Sequence, residues 1–150
     1  MLTGNGRAMI KSWLTTDYEI SRTLIDVSGN ASAVATNRDN WVNVYKNYNI
    51  QLGAGTTPAT KNDYCLETPI ASGYVVTQKT DSSSEAPSYN KNYVYKGSFL
   101  LENNSAAPIS VSEVGLYMTI NNTAYLLDRE VITPITLQPG ESYSFNLQIE

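Results

Sequence analysis

Apolar and polar residues alternate with a period of two along most of this chain, which is the signature of strands with one covered and one wet face. In WVNVYKNYNIQLG (41–53), Val42, Val44, Tyr48, Ile50 and Leu52 share one face, and Asn43, Asn47, Asn49 and Gln51 share the other. KNYVYKGSFLLE (91–102) places Tyr93, Tyr95, Phe99 and Leu101 on one side, and SYSFNLQI (142–149) alternates without interruption. Shorter strand candidates are RTLIDV (22–27), YCLET (64–68), YVVTQK (74–79) and VITPITL (131–137), where Pro134 marks an edge or a bulge because it lacks a ladder donor. Helical spacing is confined to GRAMIKSWL (6–14), which reads as about two turns or as an extended arm.

Turn chemistry separates these runs. Asn121 and Asn122 tolerate the positive φ that a type I′ hairpin turn requires at both central positions. Pro139 followed by Gly140 fits the centre of a type II turn. The pattern predicts an all-β fold, an antiparallel β-sandwich of the Ig-like or jelly-roll-like kind, over residues 41–150. Residues 1–40 are expected to form a less regular N-terminal arm, with Met9, Ile10, Trp13 and Leu14 as its partner-binding residues.

In VSEVGLYMTINNTAYLLDREV (111–131) the apolar phase slips, because Ile109 and Val111 are odd while Val114, Leu116, Met118 and Ile120 are even. An extra residue near Val114 or Gly115, a β-bulge, restores both segments to one side. Counted out from the Asn121–Asn122 turn, that shift sets Glu113 opposite Arg129. A semi-buried ion pair that fixes register is therefore expected, with Arg129 also available to backbone carbonyls freed by the bulge. An acid–base role for Glu113 is disfavoured, since a neighbouring guanidinium lowers a carboxylate's pKa.

Composition narrows the chemistry. The chain has 150 residues, enough for one domain with a real core, and 41% of them are apolar. A net charge of −4 argues against nucleic acid as a partner. No apolar run approaches the ~18 residues of a membrane-spanning helix, and Lys11 splits the N-terminal apolar run before it reads as a signal peptide. The single cysteine, Cys65, forms no intrachain disulfide and reads as a small buried hydrophobe. With no histidine, Ser-His and Cys-His nucleophiles and most transition-metal sites drop out. Asp63, Glu67, Asp128 and Glu130 read as caps or solvated carboxylates rather than a glycosidase pair. Gly53 and Gly55 form only a fragment of a phosphate loop, lacking the Gly-Lys-Ser/Thr that completes it. No enzyme activity, cofactor or metal is expected.

Two segments carry a family resemblance: LGAGTTPATKNDYCLETPI (52–70), and ENNSAAPISVSEVGLYMTINNTAYLLDREVITPITLQPGESYSFNLQIE (102–150). Together they resemble small virion structural proteins of tailed bacteriophages, with a G-x-G-T-x-x-P…D-Y-x-L-E-x-P-I segment, V-x-E-x-G-L-Y, L-x-R and P-I-x-L-x-P-G-E. The resemblance implies a β-sandwich subunit without enzymatic activity, located on the virion. It further implies contact with other virion proteins of capsid or tail, and assembly as a homo-oligomer such as a trimer. Such proteins serve in capsid decoration, head fibres or tail-associated parts; a tail-fibre or carbohydrate- and receptor-binding module is the alternative. Glu113, Gly115 and Arg129 fall within the recurring pattern, which brings no catalytic or ligand residue with it.

Overall fold

A computed structural model describes residues 1–14, 20–36, 48–79 and 95–149. The fold is all-β, antiparallel and sandwich-like, with one helix among the described residues, α1 (Gly4–Leu14), near the N-terminus. Among the described residues the strands are β1 (Ile20–Ile25), β2 (Ala31–Thr36), β3 (Tyr48–Gly53), β4 (Tyr74–Lys79), β5 (Tyr95–Asn103), β6 (Ile109–Ile120), β7 (Thr123–Leu137) and β8 (Ser142–Ile149). They form a β1-β2 hairpin and two three-stranded sheets, β3-β6-β7 and β4-β5-β8. The chain divides into two compact units, one from Met1–Ile70 with Val111–Pro134, the other from Ala71–Ser110 with Ile135–Glu150. Val42, Val44 and Tyr93, which the alternation assigns to strands, lie outside the described residues.

In the first unit, β3 and β6 run in unbroken antiparallel register from Tyr48–Met118 to Gly53–Glu113. This pairing sets Ile50 opposite Leu116 and Leu52 opposite Val114, and all four are buried with Met118 on the same face. The other face carries Glu113, Gly115 and Tyr117, and it is buried as well: every residue from 111 to 118 is covered. The apolar run in β6 thus reflects a strand buried on both faces.

The irregularity expected at Val114 or Gly115 lies instead in β7. The carbonyls of Leu126 and Leu127 both accept from the Thr3 hydroxyl, at 2.7 and 3.0 Å, whereas successive carbonyls of a regular strand point to opposite edges. Leu126 and Arg129, three residues apart, accordingly reach the same face of the sheet. Two residues with positive φ, Asn121 (50°) and Asn122 (62°), make the tight β6–β7 turn.

The N-terminal segment is folded onto its own unit. Thr3 caps α1 by accepting from the Gly6 amide at 3.2 Å. Its own amide donates to the Leu127 carbonyl, and Leu2 bridges Asp128. The Asn5 side chain mimics a peptide group, donating to the Ile25 carbonyl at 2.7 Å and accepting from the Ile25 amide at 2.8 Å. Met9 is buried within the chain, so it is not free to dock on a partner as an arm residue. The side chains of Ile10, Trp13 and Leu14 lie outside the described residues.

The second unit is organised by β5, paired on one side with β4 and on the other with β8. Phe99 and Leu101 are its buried apolar residues, and the Phe99 and Phe145 rings stack with centroids 5.5 Å apart. Asn103 ends β5 fully buried. Its amide nitrogen donates to the carbonyls of Ala107 and Leu137, both at 2.9 Å, and its oxygen accepts from the Ser105 amide and hydroxyl. The turn at Pro139–Gly140 closes with the Glu141 amide donating to the Gln138 carbonyl at 3.0 Å, and Gly140 has a φ of 79°.

Candidate functional site

The densest constellation of charge among the described residues lies in the first unit, where the irregular segment 54–70 straps the face of β6 that bears Glu113. The strap closes on itself where it leaves β3, Ala54 donating to Thr68, and it joins the sheet edge through Ile70 donating to Leu52, both at 2.8 Å. YCLET, expected as a strand, has no strand ladder. Its amides go instead to side chains: Leu66 to the Tyr117 hydroxyl (2.9 Å), Glu67 to Glu113 Oε2 (3.1 Å) and Thr68 to Glu113 Oε1 (2.8 Å).

Glu113 is completely buried and receives four donors. Besides the amides of Glu67 and Thr68, the Gly55 amide donates to Oε1 at 3.1 Å and Arg129 Nε donates to Oε2 at 2.8 Å. Two glycines make room for this carboxylate. Gly53 is its cross-strand neighbour, and a Cβ there would collide with the Glu113 side chain; a Cβ at Gly55 would sit 2.7 Å from Oε1. The Gly-x-Gly fragment thus cradles an anion, as such loops do, but the anion is the chain's own.

Arg129, with a side chain only 4% exposed, spends its remaining nitrogens on two further carboxylates. Nη1 meets Asp63 Oδ2 at 2.8 Å, and Nη2 meets Glu67 Oε2 at 3.4 Å. These positions were available to backbone carbonyls in the sequence reading; here they clamp the strap. Burial pushes the Asp63 carboxyl up, but hydrogen bonds from Thr60 and Arg129 outweigh it and hold it below the ordinary carboxylate value. Glu67 is held low by the Thr57 hydroxyl and amide at 2.6 and 2.9 Å. The Arg129 guanidinium is held above its usual range: burial alone would lower it, and Asp63 and Glu113 more than compensate.

Leu66 plugs the strap onto the sheet against Tyr117 and Leu126. Gly115 makes that contact possible, since an added Cβ would lie 2.8 Å from Leu66 Cδ2 and from Tyr117 Cε2. Burial drives the Tyr117 phenol up to about 12, so it stays a neutral hydroxyl accepting the Leu66 amide. Cys65, half-buried rather than fully buried, has its thiol pushed up by burial and by the Asp63 and Glu113 charges. It is therefore a poor thiolate source.

Glu113 and Arg129 are thus brought into contact, with Gly115 beside them. Asp63 and Glu67, read from sequence as isolated carboxylates, join the same cluster. Asp128 sits apart at the β7 edge, its carboxyl pushed up by burial. The Asn121–Asn122 and Pro139–Gly140 turns and Met9 take no part. The contributions of Gly55 and Thr68 were missed because a backbone donor advertises nothing in sequence, and those of Gly53 and Tyr117 because each depends on a distant partner, Glu113 and the Leu66 amide; Gly-x-Gly before a strap and a Glu two residues before a Gly in a buried strand were the available signals. Every carboxylate in the cluster is occupied by donors, so the arrangement holds backbone in place rather than offering a base or nucleophile. Comparison with family models, curated proteins and solved structures finds no match.

Proposed function

We propose that the chain is a non-enzymatic structural protein of a tailed-phage virion, a capsid-associated auxiliary or decoration subunit or a fibre-anchoring subunit, in contact with capsid or tail proteins. One observation carries the reading. The residues of the virion-type pattern, drawn from three separated stretches, gather in one strap attachment: Arg129 meets Asp63, Glu67 and Glu113, Gly53 and Gly55 lie against Glu113, and Gly115 lies against Leu66 and Tyr117. A pattern whose members are consumed in bracing their own fold supports a scaffolding role. Internal charge clamps also suit a subunit whose single cysteine forms no intrachain disulfide to stiffen it.

The test is the composition of the particle. In gradient-purified particles from an infection that produces this chain, mass spectrometry is expected to find it at a fixed copy number that survives high-salt washing. A reconstruction is then expected to place its density on capsid or tail. A chain abundant in the lysate but absent from purified particles overturns the reading.

A further inference from the structure

We propose that the outer edge of β8 is an assembly surface that pairs, antiparallel and about a two-fold axis, with β8 of a second copy of this chain. The inference does not rest on the virion reading.

Sheet edges present unpaired amides and carbonyls, and folded proteins blunt them with charge, proline, bulges or covering segments. In the β3-β6-β7 sheet both edges are blunted. The strap covers β3, with Ile70 donating to Leu52 and Gly53 bridging Pro69. Thr3 and Leu2 cover β7 at Leu127 and Asp128, and farther along Pro134 removes a donor. In the β4-β5-β8 sheet, β4 ends in Lys79.

The remaining edge of the two three-stranded sheets, β8, shows none of these devices among the described residues; the outer edge of β2 (Ala31–Thr36) is likewise uncharged but is blunted by its shortness, six residues against eight. Ser142–Ile149 contains no charged residue, proline or glycine. Its eight pairs with β5 run from Glu102–Ser142 to Tyr95–Ile149 without a bulge, and among the described residues no strand pairs with its far side. Tyr143 on this strand is 43% exposed, among the most exposed large apolar side chains described.

The composition of β8 also selects the occupant. A two-fold antiparallel pairing that keeps each face continuous sets Ser142, Ser144 and Asn146 opposite the same polar row, and Tyr143 and Phe145 opposite the same aromatic row. No charge meets its like, and Tyr143, which has Leu101 of β5 as its neighbour on one side, gains an aromatic neighbour on the other. An uncharged, regular edge is self-compatible in a way that a Lys-bearing edge is not, so a second copy fits better than a charged foreign strand.

Sedimentation of the full chain tests this. The wild type is expected at twice the 16.5 kDa chain mass. Ser144→Lys sets two ammonium groups across the axis and is expected to weaken association at least tenfold. Thr77→Lys, on the same face at the opposite edge of the sheet, is expected to leave the mass unchanged. A wild type that stays monomeric at its highest soluble concentration, a three-fold mass, or a dimer indifferent to Ser144→Lys would overturn the proposal. Should Ser144→Lys fail to fold, hydrogen exchange in the wild type decides: protection of β8 amides is expected to rise with protein concentration, and concentration-independent protection contradicts the pairing.

Discussion

Two regions of the molecule solve one problem by different chemistry. Around Glu113 and Arg129 an irregular strap is fastened by charge, three carboxylates and one guanidinium with backbone amides filling the remaining sites. Around Asn103 two turns are fastened by one neutral amide, which donates twice and accepts twice. The neutral device costs less to bury, since no charge leaves water. The charged one spans more, reaching strap residues from Gly55 to Thr68 together with two strands. Its members are unequal, because removing Arg129 leaves the Glu113 charge buried without an opposite charge, whereas removing Glu113 leaves Arg129 with Asp63 and Glu67.

That contrast orders the expected effects. Arg129→Met, which abandons Glu113 in the interior, should cost the most, about 3 to 5 kcal/mol in denaturant unfolding. Asn103→Ala strands the Ser105 amide and the Leu137 carbonyl, while the Ala107 carbonyl keeps the Ser105 hydroxyl, and should cost about 1 to 3 kcal/mol. If the two losses proved equal, the charged device would have no greater weight than the neutral one. Tyr117→Phe removes only the acceptor for the Leu66 amide while keeping the ring, for about 1 kcal/mol.

The finest distinction is in pH. Asp63 and Glu67 have folded pKa values below their unfolded ones. Their contribution is therefore present above the unfolded value, near pH 4, and is lost as pH falls through the lower folded values. The Tm gap between wild type and Asp63→Asn should be constant from pH 6 to 8 and close in acid; the gap for Asn103→Ala should stay flat. A gap for Asp63→Asn that persisted at acid pH would mean that its charge contributes nothing.

Much of this was legible where the signal is local. Two asparagines with positive φ, and a Pro-Gly pair, need no distant partner to make a turn, and period-two alternation announced β5 and β8. The contact between Glu113 and Arg129 was also within reach, because hairpin arithmetic from Asn121–Asn122 converts sequence distance into register. The reason given for it needed revision. The apolar phase slip in β6 follows from burial on both faces, and the irregularity sits in β7, where Thr3 takes two successive carbonyls. YCLET alternates like a strand but surrenders its amides to Glu113 and Tyr117, residues some fifty positions away. β2, ASAVAT, has too little apolar contrast to read as a strand. The N-terminal helix exceeds its two-turn expectation because Thr3 and Asn5 anchor it to β7 and β1, contacts that no local pattern records.

Glu113 holds the strap through backbone amides, and residue-resolved hydrogen exchange of the wild-type chain reads this directly. The amides of Gly55, Glu67 and Thr68 are expected to exchange as slowly as that of Leu116 in the core, opening only when the unit unfolds. Exchange at the rate of an exposed loop at those three positions, with Leu116 still protected, would contradict it.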